Sequence, residues 1–329
     1  MKLLVSWLRE LGSYVTREFY YTMQDLLERH GWRHLEPWVL AQDPAACASV
    51  LRARFGEIPE VVLHWECYDQ FNAVSAPLRA LGCRLALFAD DLHSLWGHEA
   101  MRQGRLQAFS ECDLVLASYG YAFDGFYPEL AGRKEVRWIP HAASPDFALP
   151  FNPDPLDAVL LSGFIGPLYP LRMRMKELQQ QGRYRIARHE HPGYSEGYDY
   201  RTDERIGAGY ARTIHRYRAA FTDSLTFRYV VAKHFEIPAT GALLIADRAV
   251  AEQLRALGFV ENTHYVGVSG ENLEDHLQYV LDPRHRSEVD EIRRLGQELV
   301  LGAHRTRDRA AQIDQVSSGL IVDRGIASG

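Results

Sequence analysis

The chain has 329 residues, of which 47% are hydrophobic and 24% charged, the composition of a globular protein with apolar material for two domain cores. Its formal net charge of −6 excludes the broad positive field that drives non-specific nucleic-acid binding, although it leaves room for a local basic patch. The four cysteines form no C-x-x-C pair, which excludes a zinc ribbon and a thioredoxin-like motif.

Targeting and membrane segments are not predicted. The apolar start Met1–Trp7 is shorter than the core of a signal peptide, and no apolar run reaches the roughly 18 residues of a membrane span. We therefore expect a cytoplasmic protein with reduced cysteines and without a transmembrane segment.

The first half of the chain alternates strand-like and helix-like segments. The predicted strands are Lys2–Trp7, Leu35–Leu40, Val61–Trp65, Arg84–Ala89, Asp113–Ser118 and Glu135–Ile139. The predicted helices between them are Tyr14–His30, a segment around Ala45–Phe55, and Tyr68–Leu81. This alternation favours βαβ units in a parallel, doubly wound sheet.

A proline-rich stretch over Pro140–Pro155 separates this half from a second one, in which the alternation restarts with predicted strands at Asp157–Leu161 and Ala242–Ala246. We predict an N-terminal Rossmann-like domain over 1–145 and a C-terminal Rossmann-like domain over 146–316. The small and polar residues of 317–329 predict a flexible tail.

Two such α/β domains are expected to face each other across a cleft, with ligands beyond the carboxyl ends of the strands. In the first domain, Asp91 and His93 follow a buried strand and are candidates for a base that deprotonates an acceptor hydroxyl. Glu66, after Val61–Trp65, is the next candidate. The alternative for Asp91 is a carboxylate that caps the following helix, with His93 facing solvent.

In the second domain, a helix with Lys233 and Glu236 is predicted to break at Pro238, before a turn with Thr240 and Gly241. A nucleotide sugar needs a cation and backbone N–H groups for its diphosphate and a carboxylate for its ribose, and this segment has all three. The alternative is a surface Lys–Glu pair followed by an ordinary loop.

Three further patterns carry weaker signals. Arg172, after the Ser162-Gly163 turn, is either a phosphate contact or a surface arginine. His189 and His191 flank an acid, but two histidines at this spacing form a weak metal-ligand set, and a loop lining the cleft is the favoured alternative. Gly207-Ala-Gly209-Tyr-Ala-Arg212 begins like a dinucleotide fingerprint, lacks the third glycine and does not follow a strand, so a helix start is favoured.

Several of these segments together resemble a known family. Glu236-Ile-Pro-Ala-Thr-Gly241 before Ala-Leu-Leu-Ile resembles the E-x-x-A-x-G block of GT-B glycosyltransferases, in particular the spore-maturation-protein-like group. Leu161-Ser-Gly163 with Tyr169-Pro-Leu-Arg172 is similar to the family's glycine turn and Y-x-x-R element, and the last helix is similar to its H-T-x-x-x-R ending. The resemblance covers roughly 157–313.

The resemblance implies a donor site built from Gly163, Arg172, Lys233, Glu236, Thr240 and Gly241. It also implies that no bound metal or cofactor is needed, since the nucleotide-diphosphate sugar is a co-substrate. Many retaining members carry a first glutamate eight residues before the second. Arg228 occupies that place here and could contact phosphate instead, so the stereochemical outcome does not follow from the pattern.

The predicted function is transfer of a hexosyl-like group from a nucleotide-sugar donor to a hydroxyl of an unknown acceptor, which could be a saccharide, a small molecule, a protein or a modified nucleic acid. One alternative is a nucleotide-sugar epimerase, which needs no separate acceptor. Another is a non-catalytic GT-B-fold binding protein in envelope or polysaccharide assembly. The sequence leaves the donor, the acceptor and the oligomeric state open.

Overall fold

The structure is a computed structural model that describes residues 1–94, 98–194 and 197–326. The chain divides into two compact units. The first unit comprises Met1–Arg9, Thr22–Pro140 and Arg309–Gly329, and the second comprises Glu10–Tyr21 and His141–Asp308.

The first unit is built on a six-stranded, all-parallel sheet. Its strands are β1 (Lys2–Val5), β2 (Arg33–Leu35), β3 (Val61–Trp65), β4 (Arg84–Ala89), β5 (Leu114–Ala117) and β6 (Val136–Trp138), in the order β2-β1-β3-β4-β5-β6. The central strands are mostly apolar because both faces are covered, as the continuous run Leu85–Phe88 of β4 shows.

Helices flank this sheet in chain order. They are α1 (Leu8–Leu11), α2 (Glu18–His30), α3 (Trp38–Ala41), α4 (Cys47–Phe55), α5 (Tyr68–Ala80), α6 (Glu99–Glu111) and α7 (Phe123–Phe126). The chain passes from β1 to β2 on one side and then returns to β3 on the other side. The winding therefore reverses between β1 and β3, which is where open parallel sheets bind ligands at their carboxyl edge.

The second unit has a five-stranded, all-parallel sheet. Its strands are β7 (Leu156–Leu161), β8 (Ile186–Arg188), β9 (Tyr217–Thr222), β10 (Leu243–Asp247) and β11 (Val266–Val268), in the order β11-β10-β9-β7-β8. Its helices are α8 (Pro170–Gln181), α9 (Gly207–His215), α10 (Lys233–Ala239), α11 (Ala251–Ala256), α12 (Leu273–Leu281) and α13 (Arg286–Ala303). Here the winding reverses between β7 and β9. The prediction of two Rossmann-like, doubly wound halves is confirmed.

The predicted boundaries at 145 and 316 differ from the division of the structure. The last helix, α14 (Thr306–Ile326), joins the first unit from Arg309 onward, because Arg309 Nε donates to Pro140 O over 2.8 Å and Trp32 Nε1 donates to Asp314 Oδ1 over 2.7 Å. The prediction of a flexible tail is wrong for residues 317–326, which continue this helix, and residues 327–329 lie outside the described part of the chain.

The helix that contains Glu18 is also divided. Residues 10–21 belong to the second unit, because the Glu18 carboxylate accepts from Ala142 N over 2.7 Å and lies 2.9 Å from His141 Nδ1. Across the described residues, no helix is long and apolar enough to cross a membrane.

Candidate functional site

The carboxyl edge of the second sheet brings two cations against a glycine. Gly163 follows β7, at the point where the winding reverses, and has a left-handed φ of +90°. A Cβ at this position would lie 2.8 Å from Arg172 Nη1 and 3.0 Å from Lys233 Cε. Only glycine allows both cationic side chains to approach the backbone here, in the place where an α/β sheet binds its ligand.

Arg172 is buried in the first turn of α8. Its Nη1 donates to Phe164 O over 3.0 Å, its Nη2 donates to Thr222 Oγ1 over 3.2 Å, and its guanidinium lies 4.0 Å from the centroid of the Tyr169 ring. Within the described residues, no carboxylate lies at ion-pair distance from the guanidinium, and its Nε has no hydrogen-bond partner. The Asp223 carboxylate accepts from the Arg172 backbone N–H over 3.1 Å and interacts electrostatically with the guanidinium, so the charge is partly balanced. The buried guanidinium with an unused Nε donor still favours an anionic ligand.

Lys233 is the first residue of α10. Its Nζ donates to Tyr210 OH over 2.8 Å, lies 4.5 Å from the Tyr210 ring centroid, and is 3.8 Å from Glu236 Oε2. Burial lowers the pKa of Lys233, but Tyr210 and Glu236 outweigh it and raise the pKa, so the ammonium is charged at neutral pH. Burial raises the pKa of Glu236, and the nearby Lys233 ammonium offsets part of this rise.

Tyr210 is a site residue that the sequence analysis missed. It lies on α9, in the segment that was compared with a dinucleotide fingerprint, and that segment is a helix as favoured. Its hydroxyl is 2.6 Å from Ser162 Oγ, and its ring stacks on His189 with 5.2 Å between centroids. No spacing in the sequence signals this role, because Tyr210 meets Ser162 and Lys233 only through the fold.

His189 and His191 follow β8 at the same edge. Burial, together with Lys233, lowers the pKa of His189, and burial, Lys233 and Arg172 lower the pKa of His191 to about 4. Both rings are therefore neutral at neutral pH. The part of the chain that the structure describes contains no group of three or more His, Cys, Asp or Glu side chains that could hold a metal ion.

The predicted roles of Thr240 and Gly241 are corrected. In a parallel sheet a connecting helix starts at the carboxyl edge and ends at the amino edge, and α10 runs through Pro238 before it ends. Thr240 and Gly241 precede β10 and lie at the amino edge. Thr240 O accepts from His215 Nδ1, and Gly241 O accepts from Arg293 Nε, so these groups serve the packing of the domain.

Arg228 is exposed in the loop between β9 and α10. This loop starts at the carboxyl edge and contains two non-glycine residues with left-handed backbone, Leu225 and Arg228, each with φ near +58°. Such strain is typical of functional loops. The predicted contact between Arg228 and phosphate stays a prediction.

The carboxyl edge of the first sheet gathers the predicted acidic residues. Glu66 follows β3 with a left-handed φ of 53°, and its Oε1 accepts from Asp90 N over 3.0 Å. Burial, and then the nearby Asp90 carboxylate, raise the pKa of Glu66 to about 8. A carboxyl group with a near-neutral pKa in a strained position is typical of an acid–base catalyst.

Asp91 and His93 follow β4 at the same edge. Asp91 Oδ1 lies 3.7 Å from His93 Nδ1, which is longer than a hydrogen bond, and the Asp91 side chain is 53% exposed. Burial and Arg105 lower the pKa of His93. Asp91 does not cap α6, which is the next helix in the described part of the chain, because α6 begins at Glu99 and its N-cap is His98.

Arg105, on α6, fixes the loop that carries these two residues. Its Nη1 donates to Asp91 O over 2.7 Å and to His93 O over 3.1 Å. No sequence pattern indicates this role of Arg105, because it lies on the next helix, 12 residues after His93.

Comparisons with known proteins agree with this architecture. Residues 172–315 match a family described as glycosyl transferase-like. None of the curated proteins searched matches the sequence. The fold is similar to that of HepE from Anabaena in complex with UDP, with a TM-score of 0.63, 11% identity, and coverage of 97% of this chain and 100% of that chain.

Two further structures are similar over nearly their whole length. HepE in complex with UDP-glucose aligns with a TM-score of 0.59 at 12% identity, covering 97% of this chain and 99% of that chain. A glycosyltransferase from Rickettsia africae aligns with a TM-score of 0.60 at 9% identity, covering 97% and 98%. At these identities the likeness establishes the GT-B fold.

Proposed function

We propose that this protein transfers a glycosyl group from a nucleoside diphosphate sugar to a hydroxyl acceptor. The observation that carries the proposal is the meeting of Arg172 and Lys233 at the Gly163 backbone. A diphosphate is the leaving group of such donors, and it gains negative charge as the glycosyl bond breaks. Two cations fixed before the reaction stabilise that charge without reorganisation.

The match of 172–315 to a glycosyl transferase-like family supports the same reaction. HepE binds UDP and UDP-glucose, so we propose a uridine nucleotide and a glucose-like hexose as the first donor to test. Glu236 is proposed to accept hydrogen bonds from the ribose hydroxyls, since its carboxylate lies one helical turn from Lys233, with Oε2 3.8 Å from Nζ.

Because Arg172 and Lys233 supply the positive charge that the leaving group needs, we propose that transfer proceeds without a bound metal. The acceptor hydroxyl requires a base. We propose that this base belongs to the group Glu66, Asp91 and His93, with Glu66 first, because its backbone is strained and its pKa of about 8 lets it gain and lose a proton close to neutral pH.

Binding of UDP, measured by calorimetry, tests the donor site. Lys233→Ala and Glu236→Ala are each expected to weaken binding by about 1–3 kcal/mol, the scale for loss of a charged hydrogen bond. Lys176→Ala on α8 and Glu252→Ala on α11 are matched controls in the same unit and should bind as the wild type does. Unchanged affinity in both test variants would remove this site from donor binding.

Hydrolysis of UDP-glucose, with water as acceptor, separates the reaction classes. Release of glucose supports transfer. Interconversion of the sugar without release would indicate an epimerase, and binding without any turnover would indicate a binding protein.

A further inference from the structure

The loop after β8 carries an imidazole of defined tautomer within electrostatic reach of the two cations. The backbone N–H of Gly193 donates to His191 Nδ1 over 3.0 Å. Because Nδ1 accepts this bond, the single proton of the neutral ring must lie on Nε2. The free side of His191 is therefore a hydrogen-bond donor.

This turn is built by several contacts. Gly193 has a left-handed φ of +102°, which lets its N–H point back to His191. Tyr198 OH lies 3.1 Å from Pro192 O and 3.2 Å from Gly193 O, to which it donates, and the rings of His191 and Tyr194 are 4.6 Å apart. The orientation of the imidazole is thus set by its own loop before any ligand arrives.

Three positive or ionisable groups on the surrounding elements lie close enough to act electrostatically on this ring. Lys233 lies on α10, Arg172 on α8, and His189 on the same loop, and all three disfavour a charge on His191. The charges of Lys233 and Arg172 also oppose a metal cation between the two histidines. A third cation would add repulsion in the empty site, whereas a neutral donor adds a hydrogen bond without that cost.

Resting on the function proposed above, we propose that His191 is a donor-binding residue whose neutral Nε2–H donates to a phosphate oxygen of the nucleoside diphosphate held by Arg172 and Lys233. The site then combines two charged donors and one neutral donor. Its neutral member contributes equally across the pH range in which the enzyme works.

The test uses two substitutions that differ in where they place an amide. His191→Gln puts an N–H near the position of Nε2, and His191→Asn puts it near Nδ1. With UDP-glucose as the calorimetric ligand, His191→Asn is expected to weaken binding about tenfold, and His191→Gln to stay within about threefold of the wild type. His215→Asn, on α9 with its Nδ1 bonded to Thr240 O at the amino edge, is the matched control.

Binding by the wild type between about pH 6.5 and 8.5 gives the second readout, and UDP-glucose suits it because its phosphates do not titrate there. A constant affinity supports the neutral donor. An affinity that rises severalfold toward low pH in the wild type, but not in His191→Asn, would show a cationic His191 and overturn the proposal.

Equal losses in the Asn and Gln variants would also overturn it, because the position of the N–H would then not matter. If His191→Asn binds normally while Lys233→Ala binds weakly, only this inference fails. If both bind normally, the proposed donor site itself is wrong.

Discussion

The two sheets have the same parallel, doubly wound design but different charged groups at their carboxyl edges. The first gathers Glu66, Asp90 and Asp91, and the second brings Arg172 and Lys233 together near Asp223. The fold therefore provides a place for chemistry in each half, and the few residues that follow the strands determine what kind of chemistry it is.

At each edge, nearby groups disfavour the ionised form of a titratable side chain. Asp90 helps to raise the pKa of Glu66, and Lys233 and Arg172 help to lower the pKa of His191. A bound proton relieves the repulsion in the first unit, and a bound anion relieves it in the second. This contrast is what we expect if one unit handles protons and the other holds a charged leaving group.

The largest effect is expected from Glu66→Gln, which removes the proposed base and keeps the shape of the side chain. Turnover of UDP-glucose should fall by about 10²–10⁴, the usual contribution of a positioned base, while the affinity for UDP stays unchanged. Glu60→Gln is the matched control, because Glu60 precedes β3 at the opposite edge and is exposed. Near-normal turnover in Glu66→Gln would exclude it as the base.

The pH profile of the wild type gives an independent readout of the same prediction. With a pKa of about 8, Glu66 holds its proton at pH 7 and becomes a base as the pH rises. The value of kcat/KM should therefore increase about tenfold from pH 7 to pH 9. If His93 is the base, its lowered pKa leaves the ring free of a proton at pH 7, and the profile should already be flat there.

A smaller effect separates the two edges of the second sheet. Gly163→Ala and Gly241→Ala both place a side chain at a left-handed φ, +90° and +79°, and each should lose about 1–2 kcal/mol of unfolding free energy. Only Gly163→Ala should also weaken UDP binding, by roughly tenfold, because its Cβ displaces the Arg172 guanidinium.

Thermal unfolding and calorimetry on the same two variants check this prediction. Gly241 serves as the control for a side chain added at a left-handed position away from Arg172 and Lys233, since a Cβ there meets Gln297 Nε2 at 3.3 Å. Equal losses of UDP affinity in both variants would mean that the Gly163 turn has no special place in the donor site.

Where a buried strand is an unbroken apolar run, the sequence is enough to predict it. Val61–Trp65 and Arg84–Ala89 are confirmed with their bounds, because a continuous apolar run has few other uses. The strand β9 was missed because Arg218 interrupts its apolar pattern. This arginine is buried and is neutralised by Asp157 and Asp290, which are distant in sequence.

Two predictions that involve a proline are wrong. Of the predicted strand Leu35–Leu40, only Leu35 lies in β2, and α3 begins directly after Pro37. Pro238 was expected to end the helix of Lys233, but it is accommodated within α10, and this shift carries Thr240 and Gly241 to the other edge.

For the site, the sequence predicts which residues follow strands, and the structure brings Gly163, Arg172 and Lys233 together. The sequence does not predict the partners that hold the site residues in place, since Tyr210 and Arg105 reach their contacts from neighbouring helices. Such contacts depend on how helices pack on the sheet, and no periodic pattern records that.

The smallest effect is expected from Asp91→Asn, which tests whether all acids at the first edge are equivalent. The Asp91 side chain is 53% exposed, and its Oδ1 is 3.7 Å from His93 Nδ1. Exposed ion pairs contribute about 0–1 kcal/mol, so turnover should change by at most about fivefold. Hydrolysis of UDP-glucose by Asp91→Asn, measured beside Glu66→Gln, decides between the two carboxylates. A loss near a hundredfold in Asp91→Asn would make Asp91 the base, since a solvent-facing charge has no structural role large enough to explain it.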